Sequence, residues 1–204
     1  MIAKLVRTPG IYLVGFMGSG KTTVGRLLAG ELGWSFADID DDIEAAEKST
    51  IADIFETRGE EVFRRLETEA IRGRLRSIER GQPHVVALGG GAFTREGNFR
   101  LVQGNGISVW LDCPLKLARS RIQRERPAGR PHSASGGSAA PRSAEETVAA
   151  SFPQETHRPL ARDPRRFAGL FRSRRSFYQR ADFRVDASGD PATIVAMILR
   201  LPVF

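Results

Sequence analysis

The chain has one cysteine, Cys113, among 204 residues, which excludes an intrachain disulfide and a cysteine-rich zinc site. That scarcity suits a reducing compartment. Long apolar runs are missing too. Nothing approaches the roughly 20 residues that a membrane helix needs, so no membrane partner is expected. No secretory signal pattern opens the chain: Lys4 and Arg7 precede only a short apolar run at 11–14, which Gly15 ends. A cytoplasmic protein is the expectation. No internal repeat is visible. Apolar residues at 41% and charged residues at 27% lie near ordinary globular usage and exclude global disorder, collagen and coiled coil. The length fits one domain, or one domain with a small subdomain, and suffices for a hydrophobic core.

Lysine is scarce as well, with 4 against 27 arginines. The net charge of +7 is uneven: residues 119–184 hold 15 arginines and 6 acids, while the rest of the chain is slightly acidic. Arginine makes planar, bidentate contacts to phosphate and carboxylate. By charge alone this third reads as a solvated basic surface, and more sharply as a site for an anionic substrate or nucleic acid. Nucleic-acid binding is not expected, because this third lacks interleaved surface aromatics.

Strand-like and helix-like segments alternate. Strands are expected at 11–14, 34–37, 85–88, 107–111 and 183–186. Helices are expected from Thr22 onward, then at 38–47, 51–78 with a break near Gly59, 96–102, 114–125, 164–178 and 191–201. This alternation indicates a three-layer α/β/α fold around a five-stranded parallel sheet. Residues 127–151 break the pattern: 18 of these 25 are Pro, Gly, Ser or Ala. The stretch is expected to be a mobile loop inside a single domain spanning 1–204, with a core at about 10–126 and 162–202 and a lid at about 127–161.

The strongest chemical signal is Gly15-Phe16-Met17-Gly18-Ser19-Gly20-Lys21-Thr22, between an apolar strand and a helix. Glycines bring backbone N–H groups close to phosphate oxygens, Lys21 adds charge at the β- and γ-phosphates, and the Thr22 hydroxyl suits Mg²⁺. A nucleoside triphosphate is thereby implied, but not its acceptor. GTPase, adenylate kinase, gluconate kinase and helicase-like readings all remain open on this motif alone. Asp38 and Asp40 follow the second strand, at the end where parallel sheets bind ligands. One carboxylate suits Mg²⁺ and the other an acceptor hydroxyl. The alternative is acid enrichment at a helix start, which fits Asp41 and Asp42 better than Asp38. Arg64 and Glu67 share one helix face, so Glu67 can orient the guanidinium; by spacing alone the pair is an ordinary surface ion pair. Gly89, Gly90 and Gly91 follow the third strand, either as a ligand loop or as a flexible turn. Arg158-Pro159-Leu160 follows the low-complexity stretch, and Arg174 precedes Tyr178 by one helical turn.

In this order the motifs resemble the shikimate kinases, from about Tyr12 to Leu201. The Ile51-Ala52-Asp53-Ile54-Phe55 segment and the Gly59–Arg64 run are similar to that family as well. The resemblance implies a P-loop, nucleoside-monophosphate-kinase-like fold and transfer of the ATP γ-phosphoryl group to the 3-hydroxyl of shikimate, on the route to chorismate and the aromatic amino acids. It implies an ATP site at Gly15, Gly18, Ser19, Gly20, Lys21, Thr22 and Thr23, with Arg121 beside adenine, the 186–191 loop flanking the base, and Arg158 closing over the phosphates. Asp40, Arg64, Gly89, Gly90, Gly91 and Arg174 would bind shikimate. Phe55 and Phe63 would form its apolar wall. Thr22 and Asp38 would serve Mg²⁺. Lys21, Asp40 and Arg158 would carry catalysis in a monomer acting on small molecules. Two features depart from the family pattern. The lid is long, and Ser176 stands where many members have proline, so the late substrate arginine is Arg174 or Arg175. A non-catalytic sensor of the same fold and a gluconate kinase are the competing functions.

Overall fold

The structure, a computed structural model, describes residues 10–124 and 163–203. The stretch 127–151, the expected lid at 127–161 and Arg158 lie outside the described residues. Five strands form one parallel sheet: β1 Gly10–Val14, β2 Ser35–Asp38, β3 His84–Ala87, β4 Ile107–Asp112 and β5 Phe183–Asp186, in the order β2-β3-β1-β4-β5. The helices are α1 Lys21–Leu32, α2 Ile39–Glu47, α3 Ile51–Glu79, α4 Glu96–Gly104, α5 Leu115–Arg124, α6 Pro164–Tyr178 and α7 Pro191–Leu199. None of the described helices is long and apolar enough to cross a membrane.

The apolar runs follow from burial on both faces, which a parallel sheet requires. Every residue of β1 and β4 is buried. Ile11 and Leu13 enter one core with Val24 and Leu28 of α1 and Ile194 and Ile198 of α7. Tyr12 and Val14 enter the opposite core with Ile71 and Leu75 of α3 and Phe167 and Tyr178 of α6. A fully buried leucine or isoleucine contributes roughly 1.5–3 kcal/mol relative to exposure, so these two layers hold the sheet from both sides. Three layers result, as the alternation of segments predicts.

Helices α2, α3, α6 and α7 begin at side-chain caps. Thr50 accepts from the Asp53 amide at 3.1 Å, and Asp163 and Asp190 cap α6 and α7 ahead of Pro164 and Pro191. The break expected near Gly59 occurs at that residue, whose backbone sits at φ 80°, ψ 168° inside α3. Element edges shift slightly from the sequence reading. Trp34 stays out of β2, because its N–H closes the turn that ends α1 by donating to Ala29 O at 2.9 Å. Leu88 still donates to Leu13 O at 3.1 Å as the chain leaves the sheet toward the glycines. Helix α7 stops at Leu199, and the next two amides close three-residue turns onto Met197 and Ile198 ahead of Pro202. A short 3₁₀ turn, Ala92–Thr94, follows the glycine run and has no periodicity to announce it.

Candidate active site

Strand β1 lies at the centre of the sheet, and its neighbours β3 and β4 lead away in opposite directions. The loop after β1 therefore opens at a topological switch, where α/β sheets bind ligands. Gly18 shows why this loop needs glycine: its φ is 75°, and a Cβ there would lie 2.4 Å from the Ala118 carbonyl oxygen of α5. Ser19 N–H donates to Phe16 O at 3.2 Å and closes the turn. Lys21 folds back over the loop, its Nζ donating to Gly15 O and Phe16 O at 3.1 Å each. Helix α1 begins at Lys21 with no acid in its first turn, so its partial positive end is left for an anion. The Ser19 hydroxyl is buried and has no partner among the described residues. Thr23 is exposed on the first turn.

Thr22 and Asp38 meet across the β1–β2 gap: the Thr22 hydroxyl donates to Asp38 Oδ2 at 2.7 Å. Asp38 Oδ1 accepts from the Asp40 amide at 3.1 Å and is the N-cap of α2. This revises the sequence reading, which set Asp38 apart from helix-start acids. One carboxylate oxygen caps the helix while the other faces the phosphate loop. Asp42, one turn on, pairs with Arg74 of α3 at 2.6 Å and through a second, shorter contact. Asp41 faces Arg26 of α1.

Five charged or polar side chains converge on the glycine run. Arg64 of α3 donates through Nη1 to both oxygens of Glu67 at 3.1 and 3.0 Å, and through Nε and Nη2 to Glu60 at 3.2 and 3.1 Å. Glu67 is 0% exposed, so this is no surface ion pair. Burial pushes its carboxyl up to about 7, against the pull of Arg64; Asp40 adds to the rise and Arg174 opposes it. Positions against the glycines locate the rest. A Cβ on Gly89 would sit 2.8 Å from Asp40 Oδ1 and 2.9 Å from Glu67 Oε1. A Cβ on Gly91 would meet Arg64 Nη1 at 2.7 Å, and one on Gly90 would lie 3.5 Å from both Arg174 Nη1 and the Met17 amide nitrogen. The acid-binding candidates and the phosphate loop thus share one cleft. Tyr178 completes it: its hydroxyl donates to Gly90 O, burial raises its pKa to about 12, and Arg174 lies against the phenol and holds it back. Arg175 points elsewhere, onto Asp112. Phe55 and Phe63 stack with ring centroids 4.6 Å apart beside this cleft, Phe55 on the open side.

Arg121 of α5 lies on the other side of the loop after β1. Its guanidinium donates to Ser19 O at 3.4 Å, Ala187 O at 3.2 Å and Gly189 O at 3.1 Å, tying the phosphate loop to the turn after β5. Cys113 is buried as expected and also accepts from Arg121 at 3.7 Å. The structure places Lys21, Thr22, Asp38, Asp40, Arg64, Gly89–Gly91, Arg121 and Arg174 around the loop after β1 and the glycine run. The sequence reading gives no part to Tyr178, Glu60 or Asp112. The i,i+4 spacing of Arg174 and Tyr178 was the one available signal for the first; the others depend on contacts distant in sequence.

Comparisons with known proteins point to one family. The family model described as shikimate kinase matches residues 17–147. The shikimate kinase of Persephonella marina is 38% identical over 191 residues, covering 93% of this chain and 96% of that protein. The shikimate kinase of a Sulfurihydrogenibium species is 36% identical over 191 residues, covering 93% and 95%. Among solved structures, shikimate kinase from Acinetobacter baumannii in complex with shikimate superposes with a TM-score of 0.75 at 30% identity, covering 98% of this chain and 96% of that one.

Proposed function

The chain belongs to the shikimate kinase family, and we propose that it transfers the γ-phosphoryl group of ATP to the 3-hydroxyl of shikimate through the residues of this cleft. The observation that carries the assignment of residues is the placement of Arg64, Arg174 and Asp40 around the glycine run, with Gly90 in reach of both Arg174 and the phosphate loop.

ATP phosphates lie against the backbone N–H groups of Gly15–Gly20, with Lys21 turned from its loop carbonyls toward the β- and γ-oxygens. Arg121 borders the base together with the 187–189 turn. Shikimate presents one carboxylate and a ring of hydroxyls. Arg64 and Arg174 take the carboxylate through charge-assisted bonds, helped by the open amides of Gly90 and Gly91. Asp40 accepts from the ring hydroxyls and takes the proton of the attacking 3-hydroxyl as the new oxygen–phosphorus bond forms and the bond from the γ-phosphorus to the β,γ-bridging oxygen breaks, releasing ADP. Positioning supplies most of the catalysis, since phosphoryl transfer asks little covalent chemistry of the protein.

The Thr22 hydroxyl and the Asp38 carboxylate are hard oxygen donors joined at 2.7 Å beside the phosphate loop, and they fit Mg²⁺. One carboxylate plus a hydroxyl also suits a cation whose other ligands are phosphates and water. When bound, Mg²⁺ neutralises developing phosphate charge.

The test of this assignment is Asp40→Asn. Turnover with ATP and shikimate falls about 10²–10⁴-fold if Asp40 takes the proton, with thermal unfolding unchanged. A turnover near that of the parent removes Asp40 from this role.

A further inference from the structure

Helix α6 delivers Arg174, yet along its 15 residues it buries only Phe167 and Tyr178. Leu170 and Phe171 pack partly buried against the same core, the Phe171 ring 5.3 Å from that of Phe16, so apolar contacts hold the first two turns and leave only Tyr178 buried in the last. The residue next to Arg174 grips the sheet as well. Arg175 Nη1 and Nη2 donate to Asp112 Oδ1 and Oδ2 at 3.2 and 3.1 Å, a parallel fork onto both oxygens. Its guanidinium carbon lies 5.2 Å from the centroid of the Trp110 ring. Asp112 is the last residue of β4, and its side chain is 10% exposed. Trp110 in turn faces the Tyr178 ring, 6.3 Å away between centroids. The end of α6 is thus held on one side by Tyr178 against Gly90 and on the other by Arg175 against β4.

We propose that Arg175 is a positioning residue for substrate binding: its fork onto Asp112 sets the rotation of α6 and so places Arg174 over Gly90. This rests on Arg174 as an acid-binding residue of a shikimate-phosphorylating site. Consecutive helical residues diverge by about 100°, so anchoring residue 175 determines where residue 174 points. Without the fork, the anchors left near Arg174 are Phe171 and Tyr178, each about one turn away. No polar contact of Arg175 reaches the glycine run, and its effect on binding passes through the helix.

The structure supplies an internal control. Arg184 of β5 touches the same carboxylate, at 2.6 Å from Asp112 Oδ2, and the same ring, at 5.1 Å from the Trp110 centroid. Arg184 is held by sheet pairing opposite Trp110 and carries no substrate residue. Either arginine can be removed while the other still compensates Asp112, so neither loss leaves a buried charge unpaired. Alanine at the half-exposed helical position 175 also favours the helix.

The experiment is steady-state kinetics of the parent, Arg175→Ala and Arg184→Ala, with shikimate and ATP varied in turn and thermal unfolding recorded for each. Parent turnover with shikimate is measured first; its absence overturns the functional reading and this inference with it. With parent turnover present, Arg175→Ala raises the shikimate KM about 3–10-fold, with kcat and the ATP KM within about twofold of the parent, and Arg184→Ala leaves all three within about twofold. An unchanged shikimate KM in Arg175→Ala overturns the inference alone. Equal rises in the two variants also overturn it, because they assign the effect to the charge around Asp112. A parallel rise in the ATP KM does so too, because it marks a general loosening of the fold.

Discussion

Replacing Gly91 with alanine asks whether Arg64 holds the substrate from the position the structure gives it. The Gly91 backbone lies at φ −104°, ψ −16°, which any residue adopts, so alanine introduces no backbone strain. Its Cβ would meet Arg64 Nη1 at 2.7 Å, Nη2 at 2.8 Å and Cζ at 3.0 Å. The nearest of these falls roughly 0.7 Å short of ordinary van der Waals contact. The guanidinium must yield, being the end of a long side chain, and it moves away from the glycine run. Its bonds to Glu67 stand at 3.1 and 3.0 Å, so a shift of that size takes it out of register with a substrate carboxylate. A lost or misaligned charged hydrogen bond costs about 1.5–3 kcal/mol, and the shikimate KM rises about 10–100-fold while the ATP KM stays within about twofold. Initial-rate kinetics with each substrate varied gives both numbers, and thermal unfolding checks the fold. A shikimate KM within about twofold of the parent refutes the placement of Arg64 against bound substrate.

Two other expectations follow from the same cleft. Glu67 has a folded pKa of about 7, raised by burial above its ordinary 4.5. A carboxyl raised on folding stabilises the protein below about pH 4.5 and loses that contribution as pH rises through 7, on the order of 3 kcal/mol. Denaturant unfolding of the parent should therefore lose more stability between pH 5 and pH 8 than Glu67→Gln does; parallel losses contradict a buried, proton-holding Glu67. Asp38→Asn keeps a good helix cap but weakens a cation ligand, so the Mg²⁺ concentration for half-maximal rate should rise at least about tenfold, with the shikimate KM little changed. An unchanged Mg²⁺ requirement removes Asp38 from the cation site.

The local chemistry was legible in the sequence wherever spacing carries it. The glycine-rich loop between an apolar strand and a helix, the Asp38/Asp40 pair where β2 gives way to α2 and the Arg64/Glu67 face all lie where the motifs place them. Strand order followed only in part: alternation gave a parallel sheet, but that β1 is central and β2 sits at an edge depends on pairings between distant residues. Burial was the second gap. Arg64 and Glu67 at i,i+3 look like any exposed ion pair, and only packing of α3 against the glycine run encloses Glu67. The choice between Arg174 and Arg175 was open for the same reason. Adjacent residues of identical type differ only in where the helix turns them, which is set by Tyr178 on Gly90 and by Asp112 at the end of β4.

Acceptor-dependent ADP release is the direct test of phosphoryl transfer to shikimate. The parent protein and Lys21→Ala are each given ATP and Mg²⁺ with shikimate, gluconate, quinate or no acceptor. Release should require shikimate, be lost in Lys21→Ala, and yield a product phosphorylated at the 3-hydroxyl. Release that is equal with gluconate, or absent with shikimate while the folded protein binds ATP, contradicts this transfer.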